Sequence, residues 1–524
     1  MGEIRNILFI MCDQLRADYL GCAGHPHLKT PHIDALAAAG LRFANAFCQA
    51  PVCGSSRMSF YTGRYVQSHG ATYNGVPLKV GEMTLGDHMR DLGLKTGLIG
   101  KTHMAADLGG MQRLGIDRSS LHGLLAAECG FEPWERDDGL HPDDFTDPNL
   151  AYNRYLAERG YDGDNPWHSH ANSGLDENGN VASGWYLRNA HLPARVDKAH
   201  SETAYMTDRA MAKISELGEA PWCLHLSYIK PHWPYIAPAP YHNMYGPDDI
   251  LPANRQEAEK DTPHPVVKAF MGHEESLNFS IDSKRRHVIP AYMGLITEID
   301  DHIGRLMAFL GKAGRLEDTL IVFTSDHGDY LGDHWLGEKE LFHEESVKIP
   351  LIIRDPRKAA DGARGHIEER LVEAIDLIPT FVDVLGGGAR PHLLEGRSLA
   401  PLLAGDAPEE WRDFVVSEVD YAWRGARLAL NLPPDKTRGY MLRGSRWKYI
   451  SYDNFAPQLF DIADDPEEMN DLGQSTAHAG IRAEWEGRLN AWLRLRRNRT
   501  TMSHEEIEKR TDSAKTRGIY FGVW

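Results

Sequence analysis

Four short runs of uninterrupted apolar residues along the chain stop abruptly at polar side chains able to do chemistry. Ile7 to Cys12 ends in Asp13-Gln14, and Thr96 to Ile99 ends in Gly100-Lys101-Thr102-His103. Trp222 to Tyr228 ends near Lys230-Pro231-His232, and Leu320 to Phe323 ends in Thr324-Ser325-Asp326-His327-Gly328. Continuous rather than alternating apolarity predicts strands buried on both faces, as in a parallel sheet covered by helices. Ligands of open α/β sheets bind beyond the carboxyl ends of the strands. Four such ends delivering Asp, Gln, Lys and His therefore point to one site assembled from distant segments.

Helical periodicity fills the intervals. Thr30-Pro31 reads as an N-cap and first-turn proline, with Ile33, Leu36 and Ala37 on one face and Gly40 at the end. A longer helix is expected from about Tyr292 to Lys312, its buried stripe being Ile296, Ile299, Ile303, Leu306 and Leu310. Residues 105 to 200 are rich in Asp, Asn, Gly, His and Pro with weak periodicity, and read as long loops or an insertion around the site mouth. Beyond about Asp406 the pattern changes to short antiparallel strands, Gly439 to Leu442 and Trp447 to Ile450. Gln458 to Asp461 follows, with a closing helix near Ala483 to Arg496. The expected organisation is an α/β catalytic domain over 1–405, whose large, mostly parallel sheet carries helices on both faces. A smaller α+β subdomain over 406–496 and a C-terminal arm over 497–524 complete it.

Composition narrows the function. The 524 residues suffice for one large core and a companion domain. A formal net charge of -18 argues against nucleic-acid binding, which selects basic surfaces. An anionic substrate would then need a local positive field from a metal and a few Arg or Lys. The first apolar run is too short for a membrane span and no cleavage site follows it. The six cysteines (12, 22, 48, 53, 129 and 223) show no CxxC spacing. A reduced, cytoplasmic protein with no membrane or nucleic-acid partner is expected.

The candidate chemistry falls into four groups. Asp13 and Asp326 come from separate strands, with Gln14 and His327 beside them; helix capping would explain either carboxylate alone. Together they make a divalent-metal cage. Oxygen ligands suit Ca²⁺ or Mg²⁺, and the imidazole and amide shift the balance toward Mn²⁺. Ca or Mn is expected ahead of Mg. Cys53-Gly54-Ser55-Ser56-Arg57 sits at a turn that should open a helix, whose free N–H groups and dipole suit an anionic transition state. Arg57 adds a fork of donors matched to tetrahedral oxyanions. Cys53 also reads as a small buried hydrophobe. Lys101 and His103, two apart on an extended segment, share a face; Lys101 can neutralise a substrate oxygen and His103 can move protons. A solvated loop is their other reading. His232, between Pro231 and Trp233-Pro234, is held on a stiff loop and is a candidate general acid. Lys339 is the weakest candidate, with an ordinary surface lysine as its alternative.

With these motifs in order, the chain resembles the sulfatases of the alkaline phosphatase superfamily over most of its length. Asn6 to Gln14 resembles the first metal-binding strand of that family, and Thr30 to Leu36 its first helix. Cys53 to Arg57 resembles the signature whose cysteine is oxidised to formylglycine. Gly100 to His103 resembles the Lys-x-His motif and Thr324 to Gly328 the second metal-binding strand. Asp376 to Thr380 and the span Gln458 to Leu472 resemble later landmarks.

The resemblance implies a sulfuric ester hydrolase in which hydrated formylglycine at position 53 carries two hydroxyls. One, activated by a metal bound to Asp13, Gln14, Asp326, His327 and residue 53, attacks the sulfur and displaces the alcohol. The other loses a proton to His103, releasing sulfate and regenerating the aldehyde. Arg57, Lys101 and Lys339 stabilise the charge, and His232 binds or protonates the departing oxygen. A formylglycine-generating enzyme is implied as the maturation partner.

Two departures stand out. Ser55 occupies the signature's third position, where most members have the proline read by the maturation machinery. Gln14 replaces a second acidic residue, which resembles the phosphonate monoester hydrolase and choline sulfatase branches and lowers the site's negative charge. Phosphorus esters are therefore the alternative substrates, while Lys101 and His103 favour sulfate. A non-catalytic binding protein on this scaffold would not need the full set of Asp, His, Lys and Arg. The aromatic end of the tail, with Tyr520, Phe521 and Trp524, resembles the arms by which those relatives contact neighbouring subunits, so a homo-oligomer is expected.

Overall fold

The computed structural model describes residues 4–142, 147, 149–496, 502–511, 513 and 516. Its main sheet has eight strands in the order β10-β2-β9-β8-β1-β7-β3-β4. They are β1 (Asn6–Asp13), β2 (Leu41–Phe47), β3 (Lys95–Gly100), β4 (Glu132–Arg136), β7 (Trp222–Pro231), β8 (Thr319–Ser325), β9 (Lys348–Arg354) and β10 (Ile367–Glu373). Strands β1, β7, β8, β3 and β4 pair in parallel, and β9 runs antiparallel to both of its neighbours. A small hairpin, β5 (Ser173–Leu175) and β6 (Val181–Ser183), stands apart.

The central strand explains the unbroken apolar runs. Ile7, Phe9 and Met11 of β1 enter one hydrophobic core, and Leu8, Ile10 and Cys12 enter the other. A strand alternates its side chains between faces, so a sheet covered on both sides demands apolar residues at every position. Among the helices on the second face is Asp282–Lys312, with Ile296, Ile299, Ile303, Leu306 and Leu310 fully buried. It begins ten residues before the start expected from periodicity, because Arg285 and Val288 to Ala291 are buried too.

Helix α1 (Pro31–Ala38) buries Ile33, Leu36 and Ala37 as expected, but Thr30 does not cap it with its side chain. The cap comes from the long helix instead. Asp300 accepts the backbone N–H groups of His32 and Ile33, at 3.0 and 2.7 Å. A distant carboxylate satisfies the same orphan donors that a local hydroxyl would.

The polar stretch 105–200 is not loop throughout. Strand β4 within it pairs with β3 and extends the main sheet at its edge, where half-buried residues do not produce an apolar run. Helices at Leu108–Leu114, Leu121–Ala127 and Ala151–Ala157 occupy other parts of it.

The C-terminal sheet is antiparallel, in the order β11 (Phe414–Asp420), β12 (Arg438–Gly444), β13 (Trp447–Tyr452), β14 (Gln458–Asp461). The helix Ala479–Leu495 packs Trp485, Leu489 and Trp492 against Val416, Leu442 and Leu459 of this sheet. Buried ion pairs tie the sheet to the larger body: Lys448 lies 2.9 Å from Glu344, and Arg412 meets Asp376. No helix among the described residues is long and apolar enough to cross a membrane. Of the arm, His504–Arg510 is a short helix. Tyr520, Phe521 and Trp524, on which the oligomer expectation rests, lie outside the described residues.

Candidate active site

The ends of β1, β3, β7 and β8 converge on the start of helix α2 (Cys53–Thr62), whose every residue is buried. Cys53 is the first residue of that helix, so its side chain sits where backbone N–H groups and the positive dipole end are unspent. Its sulfur lies 3.1 Å from His327 Nε2, 3.3 Å from Lys339 Nζ and 3.7 Å from Asp13 Oδ1. Asp13, Cys53, Asp326 and His327 offer ligand atoms all within 4.8 Å of one another, from fully buried residues.

Below this group lies Arg57, completely buried. Its Nε donates to Asp326 at 2.8 Å and its Nη2 to Asp13 at 3.2 Å, while Nη1 donates to the Lys101 carbonyl and to Ser227 Oγ. The fork that the sequence reading aims at a substrate oxyanion is thus spent on fixing the two carboxylates. Removing one partner from so buried a group leaves uncompensated charge, at about 3–5 kcal/mol.

Lys101 is also fully buried, with Nζ 2.5 Å from Asp13 Oδ2. The segment carrying it is not extended, contrary to the two-residue spacing argument. Gly100 has φ 101° and His103 has φ 53°. A Cβ at position 100 would lie 1.9 Å from the Ser227 carbonyl oxygen, so only glycine lets β3 end there. The turn is held from outside by Asp138, whose Oδ1 accepts the N–H groups of Thr102 and His103 at 3.3 and 3.0 Å. The turn, not strand pleat, brings the His103 side chain to Cys53, where it helps hold the thiol in its charged form.

The electrostatics follow from this crowding. Burial alone would raise the Cys53 thiol, but Lys101, Lys339 and His327 outweigh it and hold it well below the usual thiol range. Burial and Cys53 would likewise raise Asp13, yet Lys101, His232 and Arg57 keep it ionised well below its ordinary value. Burial would lower His327, but Asp326 above all pushes it up to about 9.

Lys339 is no surface lysine. It is 6% exposed and donates to Gln14 Oε1 at 2.7 Å as well as to Cys53. Gln14, with φ 65°, donates its amide to Asp329 Oδ2 at 2.5 Å and to Tyr235 Oη at 3.3 Å. Burial and Glu338 raise the Asp329 carboxyl. His232 is buried at the rim, its Nδ1 2.9 Å from the Trp233 carbonyl oxygen, so Nε2 is the nitrogen left to face a ligand. The structure thus gathers Asp13, Gln14, Cys53, Arg57, Lys101, His103, His232, Asp326, His327 and Lys339 around one centre.

Sequence reasoning missed Asp329, Tyr235, Ser227, Asp138 and Asn74. Asp329 was within reach, two residues past His327 in the same strand-end turn. Asn74 was not: it lies in a polar loop without periodicity, and its Oδ1 accepts the Gly54 N–H at 2.7 Å.

A strand-end cage of buried carboxylates and a histidine, beside a helix-initiating cysteine ringed by cations, defines a hydrolase class. The Sulfatase family model matches residues 5–387, and the model for the C-terminal part of N-sulphoglucosamine sulphohydrolase matches 332–494. The chain belongs to the sulfatase family of the alkaline phosphatase superfamily. It is similar to the multifunctional alkaline phosphatase superfamily protein PehA of Trinickia caryophylli, 32% identical over 95% of this chain and 97% of that one. An arylsulfatase of Clostridium perfringens is 28% identical over 89% of this chain and 90% of its own. Among solved structures, the phosphonate monoester hydrolase of Silicibacter pomeroyi superposes with a TM-score of 0.82 at 29% identity, covering 96% of this chain and 98% of that one.

Proposed function

We propose that this protein is a sulfuric ester hydrolase, arylsulfatase-like, whose nucleophile is formylglycine made from Cys53 and whose cofactor is one divalent cation. The observation that carries the reading is Cys53 at the start of a buried helix, inside a cage of ligand atoms and flanked by Lys339, His103 and His327. The donor set fits a cation: two carboxylates and an imidazole converge, with the Gln14 carbonyl oxygen beside them, and all are buried. Asp13, Gln14, Asp326 and His327 would hold it with residue 53. A cation there supplies Lewis-acid stabilisation of charge developing on the ester oxygens. The hydrated aldehyde supplies the attacking hydroxyl and a second hydroxyl whose loss of a proton frees the product.

The chain's own residues do the rest. Lys101 and Lys339 offset the negative charge that accumulates on the transferred group in a water-poor site. Arg57 orients the two carboxylates, and His103 takes the proton from the second hydroxyl. His232, presenting Nε2, protonates the leaving oxygen.

Gln14 supports a second reading on phosphorus esters, since a neutral ligand leaves the centre more positive and better matched to a more highly charged substrate. The test is a side-by-side comparison of kcat/KM on an aryl sulfate, an aryl phosphonate monoester and a phosphate diester, all depending on Cys53. The sulfate is expected to lead. A phosphonate monoester ahead of it would transfer the assignment to the second reading. Within that panel, His232→Ala is expected to slow poor leaving groups more than good ones; equal slowing would make His232 a positioning residue.

A further inference from the structure

One large aromatic side chain stands uncovered beside a tyrosine that is linked to this site. Trp423 is 65% exposed, on the short turn Tyr421–Trp423 that follows β11 of the C-terminal sheet. Single exposed apolar residues are ordinary. This one differs in how firmly it is placed. Tyr421, two residues earlier, is fully buried, and the following Arg424 places Nε 2.6 Å from Glu340 and also pairs with Glu275. The backbone on both sides is therefore pinned while the indole faces outward.

From that indole the contacts lead to Tyr73, and from Tyr73 they branch toward the nucleophile in two directions. Its ring lies nearly parallel to that of Tyr73, with 14° between planes and centroids 6.2 Å apart. Tyr73 adjoins Asn74, which bonds the Gly54 N–H and packs so close that a Cβ at position 54 would lie 3.1 Å from the Asn74 Cα. On the other side, the Tyr73 hydroxyl donates to Glu340 at 2.5 Å. Glu340 is the next residue after Lys339, which touches Cys53. The aromatic pair is thus one residue from the nucleophile's helix by one route and one residue from its lysine by the other.

We propose that Trp423 and Tyr73 form a platform for the leaving group, selecting esters whose departing alcohol presents a flat, uncharged aromatic ring. The proposal rests on the ester-hydrolase reading above and makes the C-terminal subdomain part of the specificity machinery. Aromatic faces bind rings by offset stacking. They also attract cations, but a quaternary ammonium group is best held where a free carboxylate adds a counter-charge. The carboxylates beside the pair are engaged: Glu340 and Glu275 by Arg424, Glu340 also by the Tyr73 hydroxyl, and Glu338 by Lys339.

The experiment separates the platform from the chemistry. Binding of phenylphosphonate and methylphosphonate to the full-length protein is measured by titration calorimetry, for wild type, Trp423→Ala and Trp423→Phe. Wild type is expected to hold the phenyl compound more tightly, and Trp423→Ala to erase about threefold to tenfold of that preference. Trp423→Phe should retain part of it, with methylphosphonate unchanged throughout. In turnover, Trp423→Ala should raise KM for aryl esters while leaving kcat and fluoroalkyl esters of matched leaving-group pKa unaffected. Equal effects on both ligands, no effect on either, or a loss confined to a choline ester would overturn the platform. Absence of Cys53-dependent turnover with the phenyl preference intact would instead bring down the hydrolase reading and leave the platform standing.

Discussion

Two lysines serve the same centre and arrive by opposite routes. Lys101 follows directly on the end of β3 and is clasped by Asp13 from the end of β1, two strands away. Lys339 comes on the irregular segment 331–340, where five non-glycine residues have positive φ: Leu331, His334, Trp335, Glu338 and Glu340. Such conformations cost about 1–3 kcal/mol each and persist only where the surroundings over-determine them. Here they do. Tyr330 and Gly332 bond back to Glu338 and Leu336, His334 N–H donates to the Asn254 carbonyl, and Glu340 N–H donates to the Pro51 carbonyl. His334 places Nδ1 2.7 Å from Glu259 and Nε2 3.6 Å from Glu345, with its ring stacked on His343 at 3.9 Å. Trp335 lies beneath the cations of Arg255 and Lys260. The floor of the site is thus set by regular structure, and its rim by a buried ion network on strained backbone.

The contrast can be broken from the floor first. Asp326→Asn removes a carboxylate that receives Arg57 and two backbone N–H groups. Bound divalent metal and kcat should fall together by at least about a hundredfold, beyond what outer-shell changes produce. Elemental analysis showing full metal with unchanged rate would separate Asp326 from the centre. Lys339→Ala should lower kcat per folded molecule by about a hundredfold, the scale of losing one charge-stabilising donor, over and above the stability lost by leaving its buried partners unpaired. A rate loss matched by an equal loss of folded protein would make Lys339 structural.

The smallest rate effect is expected from His334→Ala, which should act on stability and only through it on Lys339. Loss of one partner from this buried network should cost about 3 kcal/mol at neutral pH. Burial would lower the His334 imidazole, but Glu345 and Glu259 outweigh it and raise it to about 9. A raised histidine contributes its full stabilisation below its unfolded value of 6.5 and loses it as pH climbs through about 9. Glu468 supports this charge, while burial together with His334 and Lys448 holds the stacked His343 imidazole well below its ordinary value. The stability gap between wild type and His334→Ala, read by denaturant unfolding, should therefore shrink from pH 6.5 to pH 9. A gap that widened would contradict the network.

The same contrast explains what could be read from sequence. Strand-end chemistry was legible because a buried parallel strand needs an unbroken apolar run, and the run's end locates the site. Asp13, Gln14, Lys101, Asp326 and His327 were found that way. Lys339 carried no such flag, since no periodicity precedes it and only the resemblance raised it above a surface lysine. Asp138, Asn74 and Trp423 act across loops of 105–200, the α2–β3 connection and the second sheet, where pairing is set by tertiary contacts. The edge strand β4 was hidden for a related reason: half-buried strands need no apolar run. Asp300 as the cap of α1 was equally invisible, because its partner helix lies far along the chain.

The account's central claim is that position 53 acts as an aldehyde and not as a thiol. Its most direct test is the mass of the peptide containing residue 53, compared with turnover number across preparations made with and without a co-expressed formylglycine-generating enzyme. Turnover per molecule should rise in proportion to the aldehyde fraction and extrapolate to zero for the intact thiol, with Ser55 limiting how complete conversion becomes. Full turnover from protein whose Cys53 is wholly unconverted would contradict it.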